Sequence, residues 1–169
     1  MGLYIIKEDL LGPVKDTLIK LDREGKKLEV YRRVPNEKLH NHYTIRADFD
    51  SSDYAMFEVE ESFDCIYGGT ESPTPNGIFT VLKKSTDEWI SGYYPKRGEV
   101  KFFGYLVIFE DYYIHSDLYE ETVTEDMMRN GSAEPLSKDD DYTSGCVRVS
   151  QENLDWLVEN VTVGTVVVW

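Results

Sequence analysis

A chain of 169 residues has the length of one domain with a sizeable core, and at 41% hydrophobic and 13% aromatic its composition is globular rather than disordered. A net charge of −14 excludes nucleic acid as a partner, because phosphates would be repelled. The acidic residues that crowd at Glu58, Glu60 and Glu61 and at Asp139, Asp140 and Asp141 read as a solvated surface that keeps the chain soluble.

In chain order, Leu3 to Ile6 suit a short strand, and Gly12-Pro13 marks a turn. Met1 to Asp9 lacks the basic start and long apolar stretch of a signal peptide, so the chain is either cytosolic or without its export signal. No apolar run approaches the roughly 20 residues that a membrane span needs. Ile19 and Leu21, then Leu28 and Val30, flank Asp22-Arg23-Glu24-Gly25 and predict a β-hairpin. Residues 35–53 are polar and poorly periodic. His40 and His42 lie there one residue apart, but no Cys, Asp or Glu at ligand spacing joins them, so the reading is a surface loop without metal.

Residues 56–66 form the next strand candidate, with Phe57, Val59 and Phe63 apolar and Cys65 near its end as a small buried residue. Two cysteines make no disulfide scaffold at this length, although a single Cys65–Cys146 bridge stays open. Residues 68–77 are turn-rich. Their glycines suggest a phosphate loop, but the Gly-Lys-Ser/Thr ending is missing, and the strand of residues 78–82 follows. Residues 87–113 are rich in aromatics, mostly core and sheet-face candidates, with residues 101–109 strand-like. Trp89, Tyr93 and Tyr94, near Pro95 and Gly98, have a second reading as the lining of a cleft for a peptide or glycan. Residues 117–142 are acidic and broken by Gly131 and Pro135. They predict one helical turn at residues 125–129 within a long lid loop that buries little area.

The chemistry concentrates in Thr143-Ser144-Gly145-Cys146-Val147-Arg148-Val149, where Val147, Arg148 and Val149 alternate as an extended segment. Gly145 allows close backbone approach or φ > 0 just before the sulfur. Ser150 is a good N-cap for a helix over residues 151–160, with Leu154, Leu157, Val158 and Val161 on one face. Residues 163–169 predict a last strand. A thiol needs a base or a positive field to react near neutrality, and His115 is the nearest candidate base. The two are 31 residues apart (146 − 115), so only the fold brings them together. Backbone N–H groups around Gly145 and Cys146 are candidate oxyanion donors. The whole reads as one mostly-β domain with one or two helices.

Four segments resemble, in order, the YkuD-type L,D-transpeptidases, which remodel bacterial cell walls with a cysteine nucleophile. They are Pro73-Thr74-Pro75-Asn76-Gly77-Ile78-Phe79, Ile114-His115-Ser116, Ser144-Gly145-Cys146-Val147-Arg148 and Val163-Gly164-Thr165-Val166-Val167-Val168. The resemblance implies a β-sandwich or open barrel over residues 17–169, with residues 1–16 as an N-terminal extension. It makes Cys146 the nucleophile, His115 its base, and Gly145, Ser144 and Ser116 oxyanion or site-shaping neighbours. Tyr113 and Trp89 become substrate-binding candidates, and Arg148 either holds substrate or braces the loop through an ion pair. Ser144 departs from the pattern, since the family usually has a second imidazole there, and the spacing between His115 and the Cys motif is longer than usual.

The implied reaction transfers the acyl group of a peptidoglycan tetrapeptide stem from a Cys146 thioester to an amine of another stem, with carbapenems as inhibitors and cell shape as the physiological outcome. No cofactor or metal is called for. An extracytoplasmic monomer at the cell wall is expected. Hydrolysis as an L,D-carboxypeptidase, or a silent wall-binding module, are the alternative outcomes.

Overall fold

A computed structural model describes residues 2–35, 51–94, 98–136 and 139–169, with the side chains of residues 51, 91–94 and 98 left aside. His40 and His42 lie outside the described residues, as does the Pro95 expected beside a cleft. The side chains of Tyr93 and Tyr94, the other cleft candidates there, are among those left aside.

Alternation of apolar residues drives the first sheet. It contains β1 (Leu3–Lys7), β2 (Thr17–Asp22), β3 (Lys27–Val34), β4 (Tyr54–Asp64), β5 (Ile78–Thr80) and β11 (Val166–Val168), in the order β1-β4-β3-β2-β11-β5. The β2–β3 hairpin expected from the sequence forms, with Leu21 paired to Leu28 and Ile19 to Val30. Ile19, Leu21, Leu28 and Val30 point to one face, where they are buried in the main core. On the opposite face Leu18, Tyr31, Phe57 and Val166 pack with Ile6 and Leu11 from the N-terminal segment. Residues 3–7 are therefore an edge strand of this sheet, paired antiparallel to β4.

The second sheet runs β10-β8-β7-β6, with β9 added on β7. Its members are β6 (Lys83–Tyr94), β7 (Gly98–Phe109), β8 (Tyr112–His115), β9 (Tyr119–Glu120) and β10 (Val147–Arg148). Leu106, Ile108, Ile114 and Val147 face the main core from this side. Between the sheets lies α2 (Gln151–Asn160), capped as expected by the Ser150 hydroxyl accepting from the Asn153 N–H at 3.2 Å. At its other end Lys84 Nζ donates to the Val158 and Val161 carbonyls at 2.8 and 2.7 Å, satisfying orphan acceptors of the last turn. Leu154 sits against Gly104, whose φ is +95° and where an added Cβ would lie 2.7 Å from the leucine. A glycine in mid-strand thus lets the helix approach the sheet.

The segment expected to be a lid is corrected in its larger part. Tyr119 pairs with Lys101 across β9–β7, which turns Leu118 and Tyr119 to opposite faces. Leu118 enters a cluster with Val100, Phe102 and Tyr105, while Tyr119 packs with Phe103, Val123 and Met128 of α1 (Glu125–Arg129). Their spacing looks scattered in the sequence because a two-residue strand and a short helix share the work. Asp139, Asp141 and Tyr142 are exposed, Tyr142 two-thirds so at 67%, whereas Asp140 is half-buried.

Leu118→Ala should accordingly lower the unfolding free energy by about 2–4 kcal/mol, as for a core leucine. Urea denaturation measures this, and a loss under about 1 kcal/mol would restore the lid reading.

Candidate active site

Two strands assemble the site. β10 lies parallel to β8 with Val147 opposite Ile114 and Arg148 opposite His115. Because side chains alternate along a strand, Ile114 and Val147 go to the main core, and Tyr113, His115, Cys146 and Arg148 share the other face. Cys146 itself accepts a hydrogen bond at Sγ from the Tyr113 N–H at 3.4 Å, and its S–H is 3.6 Å from the Asp111 carbonyl. The thiol is partly exposed and free, as is the buried Cys65, so no bridge joins the two.

His115 is buried, its ring stacked on Phe102 with centroids 4.3 Å apart and planes 12° from parallel. Its Nδ1 lies 2.7 Å from the Ser116 carbonyl. A carbonyl only accepts, so Nδ1 carries the proton and Nε2 keeps its lone pair. That is the tautomer a general base requires. Burial, and then the nearby Arg148 charge, push the imidazole from its ordinary 6.5 down to about 3, against the Ser116 bond. Burial also raises the Cys146 thiol, opposed by the Tyr113 N–H and Arg148 and reinforced by Asp111. Both groups therefore rest uncharged near neutrality.

The remaining sequence-derived residues fall around this pair. Ser116 is fully buried. Its Oγ accepts from the Phe103 N–H at 3.0 Å and donates to the Asp117 carbonyl at 2.9 Å, holding the turn after His115. Arg148 is buried, and Nη1 donates to Asp140 at 2.7 Å, while its Nε is buried without a partner among the described residues. Trp89 stands edge-on to Tyr113 at 5.8 Å and near Tyr105 at 5.7 Å, forming an aromatic wall that runs through Phe102 to the His115 ring. Trp89 is 43% exposed, so this wall reaches solvent. Ser144 is exposed, and Gly145 is buried with φ +129° beneath the Tyr112 ring, where an added Cβ would meet a ring carbon at 2.6 Å. No L side chain fits there without strain.

Several contributors escaped the sequence reading. Thr143 Oγ1 accepts from the Gly145 N–H at 3.1 Å and donates to the Cys146 carbonyl. Ser72 and Thr74, in the turn-rich loop of residues 68–77, donate to the Ser144 and Gly145 carbonyls, each at 2.6 Å. Hydroxyls in a Pro-rich loop beside a Cys motif are the one signal that pointed to them. No group of three or more His, Cys, Asp or Glu suited to a metal occurs among the described residues.

This mixed sheet, carrying an imidazole and a thiol on one face, matches known proteins in family and in fold. The profile of the YkuD family, described as the L,D-transpeptidase catalytic domain, matches residues 44–168, and the chain belongs to that family. Among solved structures, an L,D-transpeptidase from Mycobacterium smegmatis is similar over 90% of this chain and 58% of its own, at 18% identity and a TM-score of 0.57. L,D-transpeptidase 3 from Mycobacterium tuberculosis is similar over 90% of this chain and 60% of its own, at 17% identity and a TM-score of 0.54. An LD transpeptidase in complex with imipenem gives 90% and 58%, at 17% identity and a TM-score of 0.58. The chain thus spans about three-fifths of the length of these structures. No curated protein gives a significant match.

Two measurements test the site. Iodoacetamide at neutral pH should label Cys146 well before Cys65, whose thiol is buried and pushed up to about 12; peptide mapping that finds Cys65 labelled first refutes the assignment. The depressed His115 means that the folded state binds fewer protons than the unfolded chain below pH 6.5. Its contribution to stability is complete above about 6.5 and falls away as pH drops towards about 3. Denaturation across that range should show a slope that is shallower in His115→Gln.

Proposed function

We propose that this chain is a cysteine-dependent L,D-transpeptidase acting on peptidoglycan tetrapeptide stems. The observation that carries the proposal is the β8–β10 register, which sets Cys146 and His115 on one sheet face with the imidazole in its basic tautomer.

In this reading Cys146 attacks the carbonyl before the terminal D-residue as His115 Nε2 takes the thiol proton. The tetrahedral oxyanion collapses to a thioester, and the leaving amine departs with the proton held by His115. An amine of a second stem then attacks the thioester, giving up a proton to His115 and releasing Cys146 as a thiol. Because neither group is charged at rest, the proton moves only as the sulfur–carbon bond forms. Tyr113 and Trp89 are proposed to pack against the stem. Arg148 is proposed to contribute its charge to a stem carboxylate while its ion pair with Asp140 steadies the strand. Ser144, Gly145 and Ser116 shape the site. The catalytic domain is proposed to span residues 17–169, with residues 1–16 as an N-terminal extension, and the protein is proposed to work outside the cytoplasm at the cell wall, as a monomer.

Incubation with purified tetrapeptide muropeptides, read by mass spectrometry, should give cross-linked dimers. Trimmed monomers would assign an L,D-carboxypeptidase, and unchanged stems a silent module. Imipenem should add its mass to Cys146. His115→Ala should reduce turnover by about a hundredfold or more, as for loss of a general base. Ser144→Ala should cost about one hydrogen bond, several-fold in rate. An active His115→Ala enzyme would move the base elsewhere.

A further inference from the structure

Three successive carbonyls of the Cys loop each accept a hydroxyl proton. Ser72 Oγ donates to the Ser144 carbonyl, Thr74 Oγ1 to that of Gly145, and Thr143 Oγ1 to that of Cys146. All peptides here are trans, so each N–H points opposite to the C=O of its own peptide unit. In the 144–145 unit the N–H of Gly145 is already spent on Thr143 Oγ1 at 3.1 Å. In the 145–146 unit the carbonyl faces Thr74, so the N–H of Cys146 faces away from it. That N–H has no hydrogen-bond partner among the described residues.

We infer that Thr74 is a positioning residue whose hydroxyl aims the Cys146 backbone N–H as the oxyanion donor of the site. The inference rests on the acyl-transfer reading above. Thr74 is suited to the task because it is 1% exposed and its hydroxyl is fixed from both sides. It accepts from the Gly68 N–H at 2.9 Å and donates to the Gly145 carbonyl at 2.6 Å, leaving the rotor one orientation. A clamp is needed at this unit because it follows a glycine at φ +129°, whose backbone is otherwise free to rotate the next peptide plane. Donor and nucleophile belong to the same residue, so a carbonyl attacked by Cys146 Sγ brings its oxygen within reach of the Cys146 N–H. Gly145, with its N–H turned back to Thr143, is not that donor. The sulfur's proton passes to His115 while the negative charge grows on the substrate oxygen, where a pre-aimed N–H lowers the barrier.

Two reactions of the same sulfur separate this role from a structural one. Acylation of Cys146 by imipenem develops an oxyanion, whereas alkylation by iodoacetamide is a displacement at saturated carbon and develops none. In Thr74→Val, acylation should slow by roughly 10- to 100-fold, somewhat less than for outright removal of an oxyanion donor. Alkylation at the same pH should stay within about twofold, and Thr74→Ser should restore acylation to within a few-fold of wild type. If Thr74→Val does not fold, as judged by circular dichroism, Thr74→Ala carries the same comparison. Equal slowing of both reactions, or no slowing of acylation, overturns the inference. A wild-type chain that is alkylated but never acylated removes the acyl-transfer reading itself, and the inference with it.

Discussion

The parallel alignment of β10 on β8 is the constraint from which the site follows. Parallel strands need a long crossover, and here the crossover is the stretch between residues 116 and 146, which includes β9 and α1. Sliding β10 by one residue would exchange the two faces, burying the sulfur in the main core and turning Val147 outward. The register is held from both sides. Arg148 exchanges N–H and C=O bonds with Ile66 at 2.9 and 3.1 Å, and the Val149 N–H reaches the His115 carbonyl at 3.0 Å. Ile114, Val147, Val149 and Leu154 then share one buried cluster, so a slip would also open the core.

Arg148 acts on both halves of the pair, with opposite consequences. Its charge favours a thiolate at Cys146 and disfavours an imidazolium at His115. Burial works the other way on the sulfur and prevails, so the resting site holds two neutral groups instead of an ion pair. The stacked Phe102 ring and the Ser116 carbonyl complete this environment, one removing water and the other setting the tautomer. Asp140 holds the arginine in place from a part of the chain that looks like mere acidic surface in the sequence.

Much of this is legible in the sequence. The N-capped helix at residues 151–160, the hairpin around Asp22 to Gly25 and the strand-like run at Val147 follow from local patterns, and local patterns are what a sequence displays. The pairing of His115 with Cys146 rests in the sequence on the thiol's need for a base and on family resemblance, because a 31-residue separation (146 − 115) carries no geometric information. The β9 and α1 segment reads as a lid in the sequence because its apolar residues are few and scattered. Its burial depends on long-range partners, namely Lys101 across the ladder and Phe103 beneath it. The hydroxyls of Ser72 and Thr74 were out of reach for a similar reason, since their partners lie 72 and 71 residues away along the chain.

A sulfur kept protonated at rest also has a distinctive relation to oxidants. Peroxides react with thiolates, and sensor cysteines are selected for low pKa and open access. Cys146 has the opposite character: burial raises its thiol, and the Tyr113 N–H lies against its sulfur at 3.4 Å. Cys65 is buried and free, with no bridge to Cys146. The Cys146 thiol therefore lacks the low pKa that makes a cysteine quick to react with peroxide.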